Sequence, residues 1–259
     1  MRKLVPLVAS ILLICLTGQS LAKDWTKIRL VTEGAFPPFN YVDKKGQPGG
    51  FDVDIARALC AKMSTICELR TDPWEGMFDR LVAGRFDAIV ASIYITEERK
   101  KGVAFTDRYY RAPTWFAARK DAGITISTAG LRGRTIGVQT KTVFNNYAVA
   151  IYGKIATVRT FATQGAVNTA LRNRTIDAVL SSRPVLEESL LGNAGGKAFE
   201  LIGGVIRNSS LLGEGAGIVV RKEDTDLLAK LNRAIAAIRA DGTYDHIRRK
   251  YFAYDIYGK

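Results

Sequence analysis

Histidine is almost missing from this 259-residue chain; His246 is the only one. A Ser/His/Asp triad would have to be built on that one residue, which sits in a basic segment near the carboxyl end. Cysteine is scarce too. Cys15, Cys60 and Cys67 are the full set, too few with one histidine for a zinc site of usual composition. No glycine-rich phosphate loop and no dinucleotide fingerprint occurs. Past the first residues, no apolar run approaches the roughly 20 residues needed to span a bilayer. The formal net charge is +13, but its lysines and arginines are scattered, without long runs or an aromatic-interleaved patch. This argues against nucleic acid and for solubility and docking on an acidic surface. An enzyme is therefore the weaker class.

What is present begins with a processing signal. Arg2 and Lys3 precede an apolar run, Leu4 to Leu16, broken by Pro6 and Ser10. Ser20-Leu21-Ala22 offers small residues for cleavage, so residues 1–22 read as a signal peptide removed after Ala22, with Cys15 discarded inside it. The rest is long enough for one large domain or two modest ones. In an exported chain the remaining Cys60 and Cys67 are expected to pair. Closing so short a loop contributes roughly 2–3 kcal/mol in the chain-entropy view.

One phrase is written twice. Leu81 to Ser92 (LVAGRFDAIVAS) is echoed by Leu171 to Ser182 (LRNRTIDAVLSS). Each reads as a helix end, a turn and a buried strand stopping at a serine. Two copies suggest two similarly wound lobes, each presenting a small polar residue at a strand's carboxyl end, where open α/β sheets bind ligands. Around them, Ile28–Thr32 reads as a strand, Phe51–Met63 as an amphipathic helix and Trp74–Val82 as a helix. Asp87–Val90 reads as a strand, and Thr96-Glu97-Glu98-Arg99 as a helix start capped by Thr96. Strands at 135–138, 157–161 and 177–180 alternate with helices, the rhythm of a mostly parallel sheet. Ile218–Val220 is a further strand, and Thr225–Ala240 a long helix stopped by Gly242.

Several motifs now stand in order: Thr32-Glu33-Gly34-Ala35-Phe36-Pro37-Pro38-Phe39, Gly50-Phe51-Asp52-Val53-Asp54-Ile55, Asp87 to Arg99, Ala104-Phe105-Thr106-Asp107, Arg221-Lys222-Glu223-Asp224 and Asp241-Gly242-Thr243-Tyr244. Together they resemble the polar-amino-acid and opine-binding periplasmic proteins of ATP-driven uptake systems, solute-binding protein family 3. The resemblance spans essentially the whole mature chain. It implies an α/β, two-lobed periplasmic binding protein fold of type II: two mostly parallel sheets flanked by helices and joined by two crossover strands, closing over a ligand. Lobe one is expected at 23–110 plus 216–259, lobe two at 113–206, with crossovers at 111–112 and 207–215. The family implies a periplasmic monomer without cofactor or nucleic acid. Its partners would be a small amino acid or derivative and an inner-membrane ABC permease.

Carried over residue by residue, the resemblance gives Arg99 the ligand's α-carboxylate, which suits a rigid guanidinium fork. It gives Glu33 the far cation of a basic ligand. Phe36 and Trp74 would sandwich the side chain. Ala91, Ser92 and Tyr94 would line the cleft, Tyr94 replacing a serine and narrowing it. In lobe two, Thr142 would keep a hydroxyl contact and Val143 a helix-end N–H. Lys141 makes this loop bulkier and more positive than the family's; it faces either a second ligand carboxylate or solvent at the rim. Ser182 stands where amino-acid binders carry an aspartate for the α-ammonium, which makes an opine or another modified amino acid a serious candidate. Two further classes compete: a cyclohexadienyl-dehydratase-like enzyme on the same fold, tested with prephenate or arogenate, and a sensory module docking on a membrane receptor.

Overall fold

The computed structural model describes residues 23–258; the expected signal peptide, its cleavage after Ala22 and Cys15 lie outside them. Strand β1 (Lys27–Thr32) is followed by a short ribbon of β2 (Ala35–Phe36), β3 (Asn40–Val42) and β4 (Pro48–Gly49). Next come β5 (Ile66–Thr71), β6 (Ala88–Ile89) and β7 (Ala104–Phe105). The middle of the chain supplies β8 (Thr114–Arg119), β9 (Thr135–Gln139), β10 (Thr157–Phe161), β11 (Ala178–Ser182) and β12 (Phe199–Ile206). Strand β13 (Val219–Val220) returns to the first group.

These strands form two sheets of one plan, ordered β5-β1-β6-β13-β7 and β10-β9-β11-β8-β12. In each, the first strand of a parallel trio lies between the second and third. In each, four strands run one way and a single strand, β13 or β8, runs against them. The twin phrase supplies β6 and β11, which hold equivalent central places. Its aspartates do equivalent work. Asp87 accepts a hydrogen bond from the Arg29 backbone N–H (2.9 Å), and Asp177 from the Thr135 backbone N–H (2.8 Å). Each pins the neighbouring strand at the start of its pairing.

Alternation in β1 sends Ile28 and Leu30 to one face, where they meet Phe51, Ile55 and Leu59 of helix Phe51–Lys62, and Val31 to the other face beside Ile89. Burying Ile55 or Leu59 stabilises by roughly 1.5–3 kcal/mol each. Asp52 and Asp54 lie in that helix's first turn, and Cys60 near its end is bonded to Cys67 in β5, with Cα atoms 6.1 Å apart. The passages between the sheets run side by side. The Ala216 N–H donates to the Tyr110 carbonyl (2.8 Å) and the Tyr109 N–H to the Ala216 carbonyl (2.9 Å). Gly215 takes φ 126° there, and a Cβ would stand 2.5 Å from the Tyr110 carbonyl oxygen, so a side chain is excluded.

Some elements differ from expectation. The helix expected from Trp74 starts at Met77, because Gly76 adopts φ 75° and ends the preceding turn. Trp74 is thereby freed to reach the other lobe. Strands β8 and β12 went unread. The first is a short apolar run without alternation, and the second is interrupted by Gly203 and Gly204. After Gly242 the chain restarts as a helix, Thr243–Tyr251, so polar that only Tyr244 and Ile247 mark its buried side.

Candidate functional site

The carboxyl ends of the central strands face each other across a small cavity. From the first lobe it is lined by Glu33, Phe36, Trp74, Ala91, Ser92, Tyr94 and Arg99. From the second come Gln139, Thr142, Val143 and Phe144. All but two of the residues expected from sequence are brought together here.

Arg99 belongs to the first turn of Glu97–Lys100, where its N–H donates to the Thr96 hydroxyl (3.3 Å). The guanidinium donates to the Tyr94 carbonyl (2.8 Å) and, across the cleft, to the Lys141 carbonyl (3.3 Å). It lies 5.8 Å from the Trp74 ring centre and 5.6 Å from that of Phe78. Desolvation alone pushes it down to about 10, with no carboxylate to counter it. At neutral pH it is still a cation.

Glu33 follows β1 at the cleft mouth. Burial pushes its carboxyl up to about 7, against the Gln139 side-chain amide that donates to it at 2.6 Å from the other lobe. Trp74 also reaches across, its indole N–H donating to the Thr140 carbonyl (2.8 Å). Thr142 caps helix Val143–Tyr152: its hydroxyl accepts from the Asn145 N–H (3.2 Å) and donates to the Gln139 carbonyl (2.7 Å).

Ser92 takes the left-handed conformation, φ 54°, which is costly for a residue with a side chain. Its hydroxyl donates to Asp52 (2.9 Å), which also accepts from Asn40 (2.8 Å) and the Tyr109 hydroxyl (2.8 Å). Asn40 in turn accepts from the Gly34 N–H (2.8 Å). Through these bonds Asp52 ties the turn after Glu33 to the turn at Ser92. Full burial raises its carboxyl to about 6 despite three donors. In the sequence, Asp52 belongs to one of the family motifs but nothing marks its hydrogen-bonding role, and Asn40 carries no signal at all. Gln139 and Phe144 were also missed, although both belong to the loop and helix start already singled out.

Lys141 and Ser182 do not line the cavity. The Lys141 ammonium pairs with Glu75 (3.2 Å) at the exposed rim. What Lys141 offers inward is its carbonyl, turned toward Arg99 by a left-handed φ of 58°. Ser182 ends β11 fully buried, with its hydroxyl beside that of Tyr94 and without a hydrogen bond of good geometry. Tyr94 stands between it and the cavity, donating its own hydroxyl to the Ala112 carbonyl (3.2 Å).

Two lobes of one topology, with a half-buried cation and a half-buried carboxyl in the cleft between them, define a type II periplasmic binding protein fold. Residues 28–254 match the family model of the bacterial extracellular solute-binding proteins, family 3, and the chain belongs to that family. It is 36% identical to the L-arginine-binding protein of Pseudomonas aeruginosa over 260 residues, covering 100% of this chain and 99% of that protein. Among solved structures it is similar to an ancestral arginine-binding protein bound to arginine, with TM-score 0.81, 30% identity, 88% of this chain and 99% of that one covered. It is also similar to an ancestral amino-acid-binding protein described as a precursor of cyclohexadienyl dehydratase, with TM-score 0.77, 29% identity, and 88% and 96% covered.

Proposed function

We propose that this protein is the periplasmic solute-binding component of an ABC uptake system and captures a basic amino acid, or a derivative of one, by closure of its lobes. The observation that carries this reading is Arg99. It is a crowded guanidinium with no carboxylate partner among the described residues, held by two carbonyls from opposite lobes and facing the cavity. A ligand carboxylate supplies the missing counter-charge. Phe36 and Trp74 then flank the ligand's stem, and Glu33 meets a cation at its far end. Thr142 and the amino end of helix Val143–Tyr152 complete the grip from the second lobe. Arginine as the ligand of a relative and of a similar structure supports the same charge pattern.

A thermal-shift screen with arginine, lysine, histidine, glutamate, octopine and 5-guanidinopentanoate tests the reading, since a ligand that binds only the folded state raises the melting temperature. A rise is expected with at least one cation-bearing carboxylate and none is expected for Arg99→Ala. Equal shifts in the variant, or no shift with any compound, contradict it. Incubation with prephenate or arogenate, without formation of an aromatic product, is the expected outcome against the enzymatic alternative.

A further inference from the structure

The charges of the cavity do not match those of a basic α-amino acid. Such a ligand brings one carboxylate and two cations. The lining supplies one cation, Arg99, and one carboxyl, Glu33; every other lining residue is neutral. Asp52 lies behind Ser92 and is already taken by three side-chain donors. A second buried ammonium would therefore lack a counter-charge, which is costly in a space walled by aromatic and aliphatic groups.

The strand order says where the two charges lie. Glu33 follows β1, Ala91 and Ser92 follow its neighbour β6, and Tyr94 bridges to Ala216 ahead of β13, the next strand along. Val31 is level with Ile89, so Glu33 stands level with Ala91 one strand across, and Tyr94 lies farther along the β6 side of the sheet, up to about 10 Å on at ~3.3 Å per residue. The second lobe mirrors this, with Gln139 of β9 opposite Glu33 and Ser182 of β11 opposite Tyr94. Arg99 is anchored on the Tyr94 carbonyl, at the end away from Glu33. Tyr94, Val143 and Phe144 line the cavity there, the Tyr94 and Phe144 rings 5.9 Å apart. The Tyr94 hydroxyl is already committed to Ala112, and the serine behind it is neutral. An opine's extra carboxylate fares no better, since Lys141 is engaged with Glu75 at the rim.

Building on the binding function proposed above, we infer that the ligand is a carboxylic acid whose single cation sits at the far end of an unbranched chain, an ω-guanidino or ω-amino acid without an α-ammonium. The carboxylate lies on Arg99, the stem between Phe36 and Trp74, and the cation on Glu33. Tyr94 fills the space an α-ammonium would occupy.

Calorimetric titration with 5-guanidinopentanoate and with L-arginine, which differ only in the α-ammonium, tests this. The deaminated compound is expected to bind at least about tenfold more tightly. In Tyr94→Ser/Ser182→Asp, which opens that end and adds a carboxylate, the preference is expected to reverse. Agmatine, which keeps the guanidinium and lacks the carboxylate, is expected not to bind the unaltered protein, a control that does not depend on the variant folding. Arginine binding as tightly as 5-guanidinopentanoate, or more tightly, overturns the inference and leaves the carboxylate–cation cleft standing. Failure of both acids to bind overturns both.

Discussion

Lys141 and Glu33 show how differently two charged side chains serve one cleft. Lys141 contributes a backbone carbonyl at a left-handed φ, while its ammonium stays at the rim. Lys141→Gly keeps that geometry without its strain. It is expected to retain ligand affinity within about threefold and to leave stability unchanged or raise it by up to about 1 kcal/mol. Calorimetry and chemical unfolding check both. Glu33 is an acid raised from 4.5 to about 7 by burial, faced by the Gln139 amide from the other lobe and by the Asp52 charge behind. Between those two pH values the folded chain holds a proton the unfolded chain has released. Its contribution to stability therefore falls as pH rises through that window. Asp52, raised to about 6, acts in the same direction. The unliganded protein is expected to melt lower at pH 7 than at pH 5. Glu33→Gln is expected to flatten the difference in a calorimetric melt, while Asp52 preserves part of it.

At the level of elements, the repeated phrase explains more than its length suggests. Its leucine, turn and apolar strand were legible, and they locate β6 and β11 at the centres of two matching sheets. The work of its aspartates was not legible, because their partners are distant in sequence. Asp87 holds Arg29 of β1 and Arg221, which is itself buried, and these bonds draw its carboxyl down to about 2 against the cost of burial. An acid so lowered adds stability above its ordinary pKa that disappears as pH falls toward 2. Asp87→Ala leaves Arg221 with less counter-charge and is expected to cost about 3 kcal/mol in urea unfolding. Asp177 is more exposed and bonded to Arg134 at 3.2 Å, so Asp177→Ala is expected to cost about 1 kcal/mol. Equal losses at the two positions would contradict this account. Strands β8 and β12 were unreadable for a related reason. Their pairing with β11 and with each other, not local alternation, makes them strands.

For the molecule as a whole, motif order revealed the family and the side chains of the cleft, since those residues lie on a few contiguous turns. It did not reveal the cleft's charge pattern. That pattern depends on Tyr94 screening Ser182, on Lys141 turning outward, and on Asp52 being consumed by Asn40, Ser92 and Tyr109. All of these are relations across the fold. The lobes meet through the loop at Gln139–Thr142, which takes bonds from Trp74 and Arg99 and gives one to Glu33. Glu33, Trp74, Arg99 and Gln139 thus both join the lobes and line the cavity, so the capture proposed above draws on the same side chains that hold the lobes together. The most direct test is calorimetric titration of Arg99→Ala, its fold confirmed by circular dichroism, with L-arginine and 5-guanidinopentanoate. Whichever acid the unaltered protein prefers is predicted to lose at least about a hundredfold in affinity, as expected for removal of a charge-assisted fork. Undiminished binding by the folded variant would contradict the assignment of Arg99, and with it the reading of this cleft.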